Sequence, residues 1–327
     1  MQKNTTQKIL ITGANGQLGS EIADALAIRF GTNNIITTDI SINSNPDKKF
    51  KFEKLDVMDF DTLVQLVKKY YITQIYHLAA ILSAKGESNT QIAWKINMDG
   101  LLNVLEVARI FNLNKVFWPS SIAIFGPTSP KEHTPQHTIT EPETNYGISK
   151  HAGELWCKYY FEKYGVDVRS LRYPGIIGYK SMPGGGTTDY AVEVFHKAIN
   201  NESFVCFLEK ETCLPMMFMP DAIKATLQLM EEKKENISIR TSYNIQGMSF
   251  SPEEIIAEIK KYHPEFLVTY QPDFRQKIAE AWPSKIEDKI AKKDWNWKPD
   301  FNLKKMVKEM IIQLEVQKKD WIKEGVL

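Results

Sequence analysis

Residues 8–19 read Lys-Ile-Leu-Ile-Thr-Gly-Ala-Asn-Gly-Gln-Leu-Gly, and they are the strongest indicator of the fold. The first part of this stretch is apolar without alternation, which predicts a strand covered on both faces, as in a parallel sheet. Glycines at positions 13, 16 and 19 then lead into an amphipathic run. Such a turn lets the backbone approach a pyrophosphate, which the free N–H groups of the helix N-terminus attract. The stretch therefore predicts a dinucleotide-binding unit; a tight turn without a ligand is the alternative.

An acidic residue follows this unit at the distance that a dinucleotide-binding fold requires. Asp39 ends the next predicted strand, about 20 residues after the last glycine of the turn. Its carboxylate can accept hydrogen bonds from ribose hydroxyls, whereas it would repel the additional phosphate of NADP. No lysine or arginine follows before Lys48. The sequence thus predicts NAD as the cofactor, and an ordinary turn residue at a strand end is the other interpretation of Asp39.

The first half of the chain alternates β-rich and amphipathic segments. This alternation predicts a doubly wound parallel sheet with a ligand crevice at the carboxyl ends of its strands. The predicted strands are Lys8–Thr12, Asn34–Asp39, Lys51–Asp56, Ile72–Ala79, Lys115–Ser120 and Asp167–Arg172. The predicted helices are Gln17–Phe30, Phe60–Tyr70, Ile92–Phe111 and Tyr146–Tyr164.

The pattern becomes less regular after Gly175, and a last amphipathic helix runs from Leu303 to about Ile322. We therefore expect a Rossmann-type NAD-binding domain over residues 1–175, which also carries the catalytic residues. Residues 176–327 are expected to form mainly a smaller α+β substrate-binding lobe, with some segments returning to the first domain.

Composition limits the other function classes. The formal net charge is +1 and the basic residues are scattered, which argues against nucleic acid as a partner. Three cysteines without a CxxC pair indicate a reducing compartment, and the polar N-terminus predicts no signal peptide. No apolar run is long enough for a membrane span, and no histidine or cysteine spacing predicts a metal site. We expect a cytoplasmic enzyme that uses no metal.

A candidate acid/base pair stands at the start of the fourth predicted helix. Tyr146 and Lys150 are four residues apart, so both side chains lie on one helix face. A neighbouring ammonium favours a phenolate and is expected to lower the pKa of Tyr146 towards the operating range. Ser120 and Ser121 end a strand at the predicted crevice, where a hydroxyl can hold a substrate oxygen. Chance helix spacing and simple capping of the strand end are the alternatives.

Together these motifs resemble the extended short-chain dehydrogenase/reductase superfamily, which includes NAD-dependent epimerases and dehydratases. The resemblance implies that Ser121, Tyr146 and Lys150 are catalytic, with Lys150 on the nicotinamide ribose. It places Asp56 and Val57 beside the adenine. The full set of residues that it implies for the cofactor is Gly13, Asn15, Gly16, Gln17, Leu18, Gly19, Asp39, Asp56, Val57, Leu78, Ala79, Ala80, Asn97, Tyr146, Lys150 and Tyr173.

The second half of the sequence indicates which branch of this superfamily the chain resembles most. Cys213–Asp221 contains an apolar Leu-Pro-Met-Met run where nucleotide-sugar enzymes usually carry an arginine, which argues for a small substrate. Further segments resemble the short-chain L-threonine 3-dehydrogenases along nearly the whole chain. They are Ile81–Ala84, Pro183–Ala191, Cys213–Asp221, Pro272–Gln276, Trp282-Pro283 and Asp294–Pro299.

That resemblance implies oxidation of the 3-hydroxyl of L-threonine to 2-amino-3-ketobutyrate by hydride transfer to NAD, with Tyr146 as acid/base. The residues implied for the substrate are Ser83, Ser121, Tyr146, Gly186, Thr187 and Trp282. Thr187 stands where a glycine-rich loop enters a helix, and free N–H groups at such an end suit a carboxylate. A flexible linker or plain helix cap is the alternative for this loop, and a core aromatic is the alternative for Trp282.

Two other functions stay open from the sequence. One is a nucleotide-sugar epimerase, which would hold NAD without net reduction, and the other is a catalytically silent NAD-binding regulator. The regulator is expected to lack one of the three catalytic residues, yet all three are present. By analogy with the superfamily we expect a homodimer that pairs the helices Ile92–Phe111 and Tyr146–Tyr164 of each subunit.

Overall fold

The computed structural model describes residues 7–42, 49–182 and 184–323. The strands are β1 (Ile9–Thr12), β2 (Ile35–Asp39), β3 (Lys51–Lys54), β4 (Gln74–His77), β5 (Lys115–Ser121), β6 (Val168–Tyr173), β7 (Gly175–Ile177), β8 (Phe204–Cys206), β9 (Leu214–Phe218), β10 (Tyr243–Asn244), β11 (Met248–Phe250) and β12 (Val268–Tyr270). The helices are α1 (Gln17–Phe30), α2 (Phe60–Tyr70), α3 (Ser83–Ser88), α4 (Thr90–Ile110), α5 (Asn145–Tyr164), α6 (Tyr190–Ile199), α7 (Met219–Glu231), α8 (Pro252–Ile259), α9 (Phe274–Ala281), α10 (Lys289–Trp295) and α11 (Leu303–Lys323).

The main sheet has seven parallel strands in the order β10-β6-β5-β4-β1-β2-β3. The strand order reverses between β1 and β4, and the crevice beyond the carboxyl ends at such a point is the usual ligand site of an open α/β sheet. The continuous apolar run of β1 is fully buried, as expected for a strand covered on both faces. The predicted Rossmann-type doubly wound sheet is confirmed.

Close packing of α5 against β5 sets the height of the helix above the sheet. Thr144 caps α5 by accepting the N–H of Gly147 at 3.0 Å. A Cβ on Gly147 would lie 2.1 Å from the carbonyl oxygen of Ala123, and one on Gly153 would lie 2.4 Å from the ring of Trp118. Both glycines therefore let the helix approach the strand end more closely than any other residue would allow.

The smaller elements of the second half form a separate core. One sheet has the order β11-β9-β7 and another pairs β12 with β8. The strand β9 is buried throughout and packs with α6, α8 and α11. In contrast, β10 joins the main sheet beside β6, and α7 packs on the same core as α1. The second half of the chain thus contributes two elements to the main sheet and its helical layer.

Several boundaries differ from those predicted. The segment Ile72–Ala79 is a strand only over β4, because its ends form the turns that enter and leave the sheet. The short helix α3, which begins at Ser83, is not among the predicted helices. Residues 1–6, Lys48 and Pro183, each used in a prediction, lie outside the described residues. No helix in the described ranges is long and apolar enough to cross a membrane.

Candidate active site

A cleft opens at the carboxyl ends of β1, β4 and β5. Fifteen of the predicted site residues line it: Gly13, Gly16, Gln17, Leu18, Gly19, Leu78, Ala80, Ser83, Ser121, Tyr146, Lys150, Tyr173, Gly186, Thr187 and Trp282. The other predicted residues, Asn15, Asp39, Asp56, Val57, Ala79 and Asn97, are not among the residues that line the cleft.

The glycine turn packs tightly against the residues that follow β4, the neighbour of β1 in the sheet. Gly13 has a φ of 69°, and a Cβ there would lie 2.6 Å from the backbone nitrogen of Ala79. A Cβ on Gly19 would lie 2.3 Å from the carbonyl oxygen of Gly13. Gly16 caps α1 without any side chain on the first N–H groups of the helix. The turn therefore leaves helix donors exposed to the cleft, as pyrophosphate binding requires.

Asp39 is held beside this turn. Its Oδ2 accepts the backbone N–H of Asn15 at 3.1 Å, and its Oδ1 accepts the N–H of Ser41 at 3.3 Å. Asp56 accepts the N–H of Met58 at 3.0 Å in a similar turn after β3. Asp39 thus stands at the end of β2 beside the glycine turn, where a ribose contact is expected in this fold, and Asp56 follows the edge strand β3.

Asn97 fixes the loop after β4. Its amide oxygen accepts the N–H of Ile81 at 2.8 Å, and its amide nitrogen donates to the carbonyl of Ile81 at 3.1 Å. The same nitrogen lies 3.3 Å from the Ser149 hydroxyl on α5. Asn97 therefore joins the loop that precedes Ser83 to the helix that carries Tyr146, and it is 5% exposed.

The predicted catalytic residues converge in the cleft. Ser121 ends β5, and its hydroxyl accepts the N–H of Ala123 at 3.2 Å. Tyr146 and Lys150 project from the first turns of α5. The Lys150 ammonium donates to the carbonyl of Pro119 at 2.6 Å and lies 4.5 Å from the ring centre of Trp118. Strand and helix thus place a hydroxyl, a phenol and an amine in one cleft.

The prediction that Lys150 lowers the pKa of Tyr146 is wrong for this cleft. Burial raises the pKa of the Tyr146 phenol to about 12, and the Ser121 hydroxyl offsets only part of that rise. Burial also lowers the pKa of Lys150 to about 7, although Glu154 opposes this change. The physical reason is that desolvation disfavours both charged forms, so it acts against the phenolate and against the ammonium.

A buried polar network supports the same helix from below. Glu154, one turn after Lys150, accepts hydrogen bonds from the Ser120 hydroxyl at 2.6 Å and from two guanidinium nitrogens of Arg172 at 2.9 and 2.8 Å. Arg172 also donates to the carbonyl of Gln136 and to the side chain of Asn244, both at 2.9 Å. Both serines that end β5 line the cleft, but the Ser120 hydroxyl is bonded to Glu154 and so belongs to this network.

The opposite wall comes from the loop before α6 and from the end of α9. Thr187 is 1% exposed, and its hydroxyl has no hydrogen-bond partner among the described residues. Trp282 is 8% exposed and belongs to the second core, so its ring both packs in the interior and lines the cleft. Tyr173 contributes its ring, while its hydroxyl bonds to Thr226 away from the cleft.

One charged residue of this wall, Asp189, is not among the site residues predicted from the sequence. Asp189 lines the cleft, and its Oδ2 accepts the N–H groups of Gly185 and Gly186 at 2.7 Å each. The expectation that these loop N–H groups are free for a substrate carboxylate is therefore wrong at both glycines. The usual capping pattern could not have predicted these bonds, because Asp189 is the N-cap residue of α6 but accepts N–H groups that precede it in the chain.

The cleft fits a dinucleotide and shows no metal site. The close approaches at Gly13 and Gly19, with no side-chain cap on α1, form the cradle that a pyrophosphate needs. Across residues 7–42, 49–182 and 184–323, no cluster of three histidine, cysteine or acidic side chains could hold a metal ion. The apolar segment Leu214–Met217 is part of the buried strand β9 and is not among the residues that line the cleft.

The chain is similar to several known proteins along most of its length. The chain is 48% identical over 309 residues to the mitochondrial L-threonine 3-dehydrogenase of Bos taurus, covering 93% of this chain and 82% of that protein. It superposes with a TM-score of 0.92 on a GalE-like L-threonine dehydrogenase from Cupriavidus necator in its holo form, at 54% identity and with 94% and 99% of the two chains covered.

A monomeric L-threonine 3-dehydrogenase from a metagenome gives a TM-score of 0.91 at 47% identity, with 94% of this chain and 99% of that chain covered. Residues 9–245 match the NAD dependent epimerase/dehydratase family, which accounts for more than half of the chain. The predicted superfamily resemblance is confirmed, and the chain belongs to the NAD-dependent epimerase/dehydratase family.

Proposed function

We propose that this protein is an L-threonine 3-dehydrogenase that oxidises the 3-hydroxyl of L-threonine to 2-amino-3-ketobutyrate with NAD. The observation that carries the proposal is a single cleft lined both by Ser121, Tyr146 and Lys150 and by the turn that contains Thr187. One wall offers acid/base chemistry and the other offers polar groups for a small substrate. Extensive identity to threonine dehydrogenases supports the same substrate.

NAD supplies the hydride acceptor when it is bound. We assign its pyrophosphate to the turn from Gly13 to Gly19 and its adenosine ribose to Asp39, with Asp56 and Val57 beside the adenine. On the nicotinamide side we assign Lys150 to the ribose, with Tyr173 contributing its ring. The remaining backbone contacts are assigned to Asn15, Leu78, Ala79 and Ala80, and Asn97 positions the loop that carries Ser83.

The chain's own residues handle the proton. Ser121 donates a hydrogen bond to the substrate oxygen, and the Tyr146 oxygen takes the proton from the substrate hydroxyl. Because burial raises the pKa of Tyr146, the phenolate is scarce at neutral pH. Lys150 lies 5.4 Å from the Tyr146 ring centre, and we assign its protonated form the role of favouring the phenolate, although burial disfavours both charged forms.

The substrate end is assigned to the opposite wall. The unpartnered hydroxyl of Thr187 is a donor for the substrate carboxylate, and Gly186 leaves room beside it. Ser83, buried at the start of α3, is a second polar contact. Trp282 closes the wall and keeps water from the reacting carbon. Residues 1–175 then hold mainly the cofactor and 176–327 mainly the substrate.

We also propose a homodimer formed through α4 and α5. These helices pack side by side, and α5 exposes a run of large apolar side chains: Leu155, Trp156, Tyr159 and Tyr164. An exposed apolar patch of this kind is typical of an interface. Light scattering should give twice the chain mass, and a Trp156→Glu variant should give the chain mass; a monomeric wild type contradicts this proposal.

The cellular location proposed is the cytoplasm. All three cysteines are free thiols, two of them buried, which suits a reducing compartment. A fluorescent fusion that accumulates in an organelle or outside the cell contradicts this proposal.

The test is to add NAD and L-threonine to the purified protein and follow the absorbance of the reduced nicotinamide. The absorbance should rise, should continue after addition of a chelator, and should not rise with a nucleotide sugar. Conversion of a nucleotide sugar without net reduction would instead support an epimerase. A protein that binds NAD and turns over neither substrate would support a regulator.

A further inference from the structure

The turn that enters α6 carries a carboxylate without a role in the reaction proposed above. Asp189 is half-buried and lines the cleft, with Oδ2 held by the N–H groups of Gly185 and Gly186 at 2.7 Å each. Two short bonds to backbone donors fix the carboxylate in one orientation. Its position is therefore set by the loop and not by a flexible side chain.

No cationic group of the described residues forms an ion pair with this carboxylate. Among the described residues that line the cleft, only Lys150 and Asp189 carry charged groups. The amine of Lys150 is directed to the carbonyl of Pro119. A carboxylate in a partly desolvated cleft gains most from a positively charged ligand group.

The neighbouring glycine keeps one oxygen of the carboxylate accessible. A Cβ on Gly186 would lie 2.9 Å from Oδ1 and 3.5 Å from Cγ of Asp189. Gly186 is not among the glycines with a positive φ, so its missing side chain provides space and not backbone freedom. Oδ1 has no hydrogen-bond partner in the part of the chain that the structure describes. Residue 186 thus leaves Oδ1 open to a ligand.

A hydrogen-bond donor lies two residues before Asp189. The Thr187 hydroxyl is buried in the same wall without a partner among the described residues. In an α-amino acid the ammonium and the carboxylate are attached to one carbon, so the groups that recognise them must also be neighbours. Thr187 and Asp189 offer a donor and an acceptor within one turn of the chain.

We infer that Asp189 is a specificity-determining residue that binds the α-ammonium group of the substrate through Oδ1. The inference rests on the proposed function, because it names the residue that recognises the amino group of L-threonine. It predicts that the enzyme selects amino acids over hydroxy acids that lack this group. Loss of a charged hydrogen-bond partner commonly lowers binding by roughly 10- to 100-fold.

The experiment compares kcat/KM for L-threonine and for (R)-3-hydroxybutyrate, which is threonine without its amino group. Asp189→Asn keeps the shape of the side chain and an acceptor oxygen for the loop N–H groups. We expect it to raise KM for L-threonine by roughly 10- to 100-fold, with little change in kcat and about twofold or less change in kcat/KM for hydroxybutyrate. The preference for threonine should fall accordingly.

Two further variants keep the result interpretable. Gly186→Ala retains the carboxylate but crowds Oδ1, and it should also raise KM for L-threonine. Asp221→Asn is the matched control, because Asp221 accepts the N–H groups of Asp300 and Phe301 at 2.9 and 3.1 Å outside the cleft. It should leave the preference unchanged. NAD binding measured by tryptophan fluorescence should be the same in all four proteins.

The outcomes distinguish a failure of the inference about Asp189 from a failure of the proposed function. An equal loss for both substrates in Asp189→Asn, or no loss for threonine, overturns the inference, since Asp189 would then only brace the loop. A wild-type protein that reduces NAD with neither substrate overturns the proposed function itself. Retention of the full threonine preference in Gly186→Ala counts against Oδ1 as the contact.

Discussion

The two walls of the cleft hold their polar groups in different ways. On the α5 wall, Lys150 and Glu154 are 3% and 2% exposed, and both are bonded to protein groups. On the α6 wall, the Thr187 hydroxyl and the second oxygen of Asp189 have no partner among the described residues. A rigid, satisfied wall suits positioning of the reacting atoms, whereas a wall with unsatisfied groups suits recognition of a ligand.

The largest effect should follow removal of the Tyr146 hydroxyl. Tyr146→Phe keeps the ring but leaves no group to take the substrate proton, so kcat should fall by roughly 100- to 10,000-fold. NAD binding should persist, because the pyrophosphate cradle is formed by other elements. Steady-state kinetics together with a fluorescence titration of NAD measure both quantities. Turnover near the wild-type level would remove the chemical role that we assign to the α5 wall.

The buried network of the same wall should dominate stability. Arg172→Met leaves Glu154 buried without its cation, which commonly costs about 3–5 kcal/mol of unfolding free energy. Chemical denaturation followed by circular dichroism measures the change. Arg29→Met is the matched control, since Arg29 pairs with Glu231 on the protein surface and its loss should hardly affect stability. Equal, small effects would show that the network does not hold the wall.

The ionisation of this wall predicts a pH dependence. The pKa of Tyr146 is raised to about 12, so the fraction of phenolate increases about tenfold for each pH unit between 7 and 9. The pKa of Lys150 is lowered to about 7, so its positive charge is lost over the same range and opposes this increase. The initial rate with L-threonine should therefore rise with pH by less than about tenfold for each unit, and it should not rise in Tyr146→Phe. A rate that is constant from pH 7 to pH 9 would mean that bound cofactor and substrate reverse the effect of burial.

The sequence predicted the α5 wall better than the α6 wall. The helices α1 and α2 have the predicted bounds, because their apolar periodicity and flanking turns are local signals. Tyr146 and Lys150 could be placed together because four-residue spacing on a helix fixes their relation. The opposite wall depends on contacts between segments far apart in the chain, such as Thr187 and Trp282. Spacing alone cannot show which loop faces the cleft.

Electrostatic predictions failed for a related reason. The sequence showed an ammonium near a phenol, and it predicted a lower pKa for Tyr146. The structure adds the desolvation of both groups, which raises the pKa of Tyr146 and lowers the pKa of Lys150. Likewise, the sequence predicted free N–H groups at Gly185 and Gly186, but in the structure both donate to the Asp189 carboxylate. Burial of a group and the partner of a loop N–H both depend on how the whole chain packs, so spacing along the sequence does not predict them.

The smallest expected effect tests the α6 wall most directly. Thr187→Val keeps the volume of the side chain and removes a buried hydroxyl that has no partner in the described chain. We expect KM for L-threonine to rise by roughly tenfold. The unfolding free energy should stay the same or increase by up to about 1 kcal/mol, because an unsatisfied polar group is removed.

Thr226→Val provides the contrast, since that hydroxyl donates to the carbonyl of Ala222 at 2.8 Å and bonds to Tyr173. Its loss should lower the unfolding free energy by about 1–2 kcal/mol and leave KM unchanged. If both variants lose stability to the same extent and KM does not change in Thr187→Val, the Thr187 hydroxyl is a structural group. The two walls would then not differ in the way that their hydrogen bonds indicate, and threonine recognition would have to lie with Ser83 and Asp189.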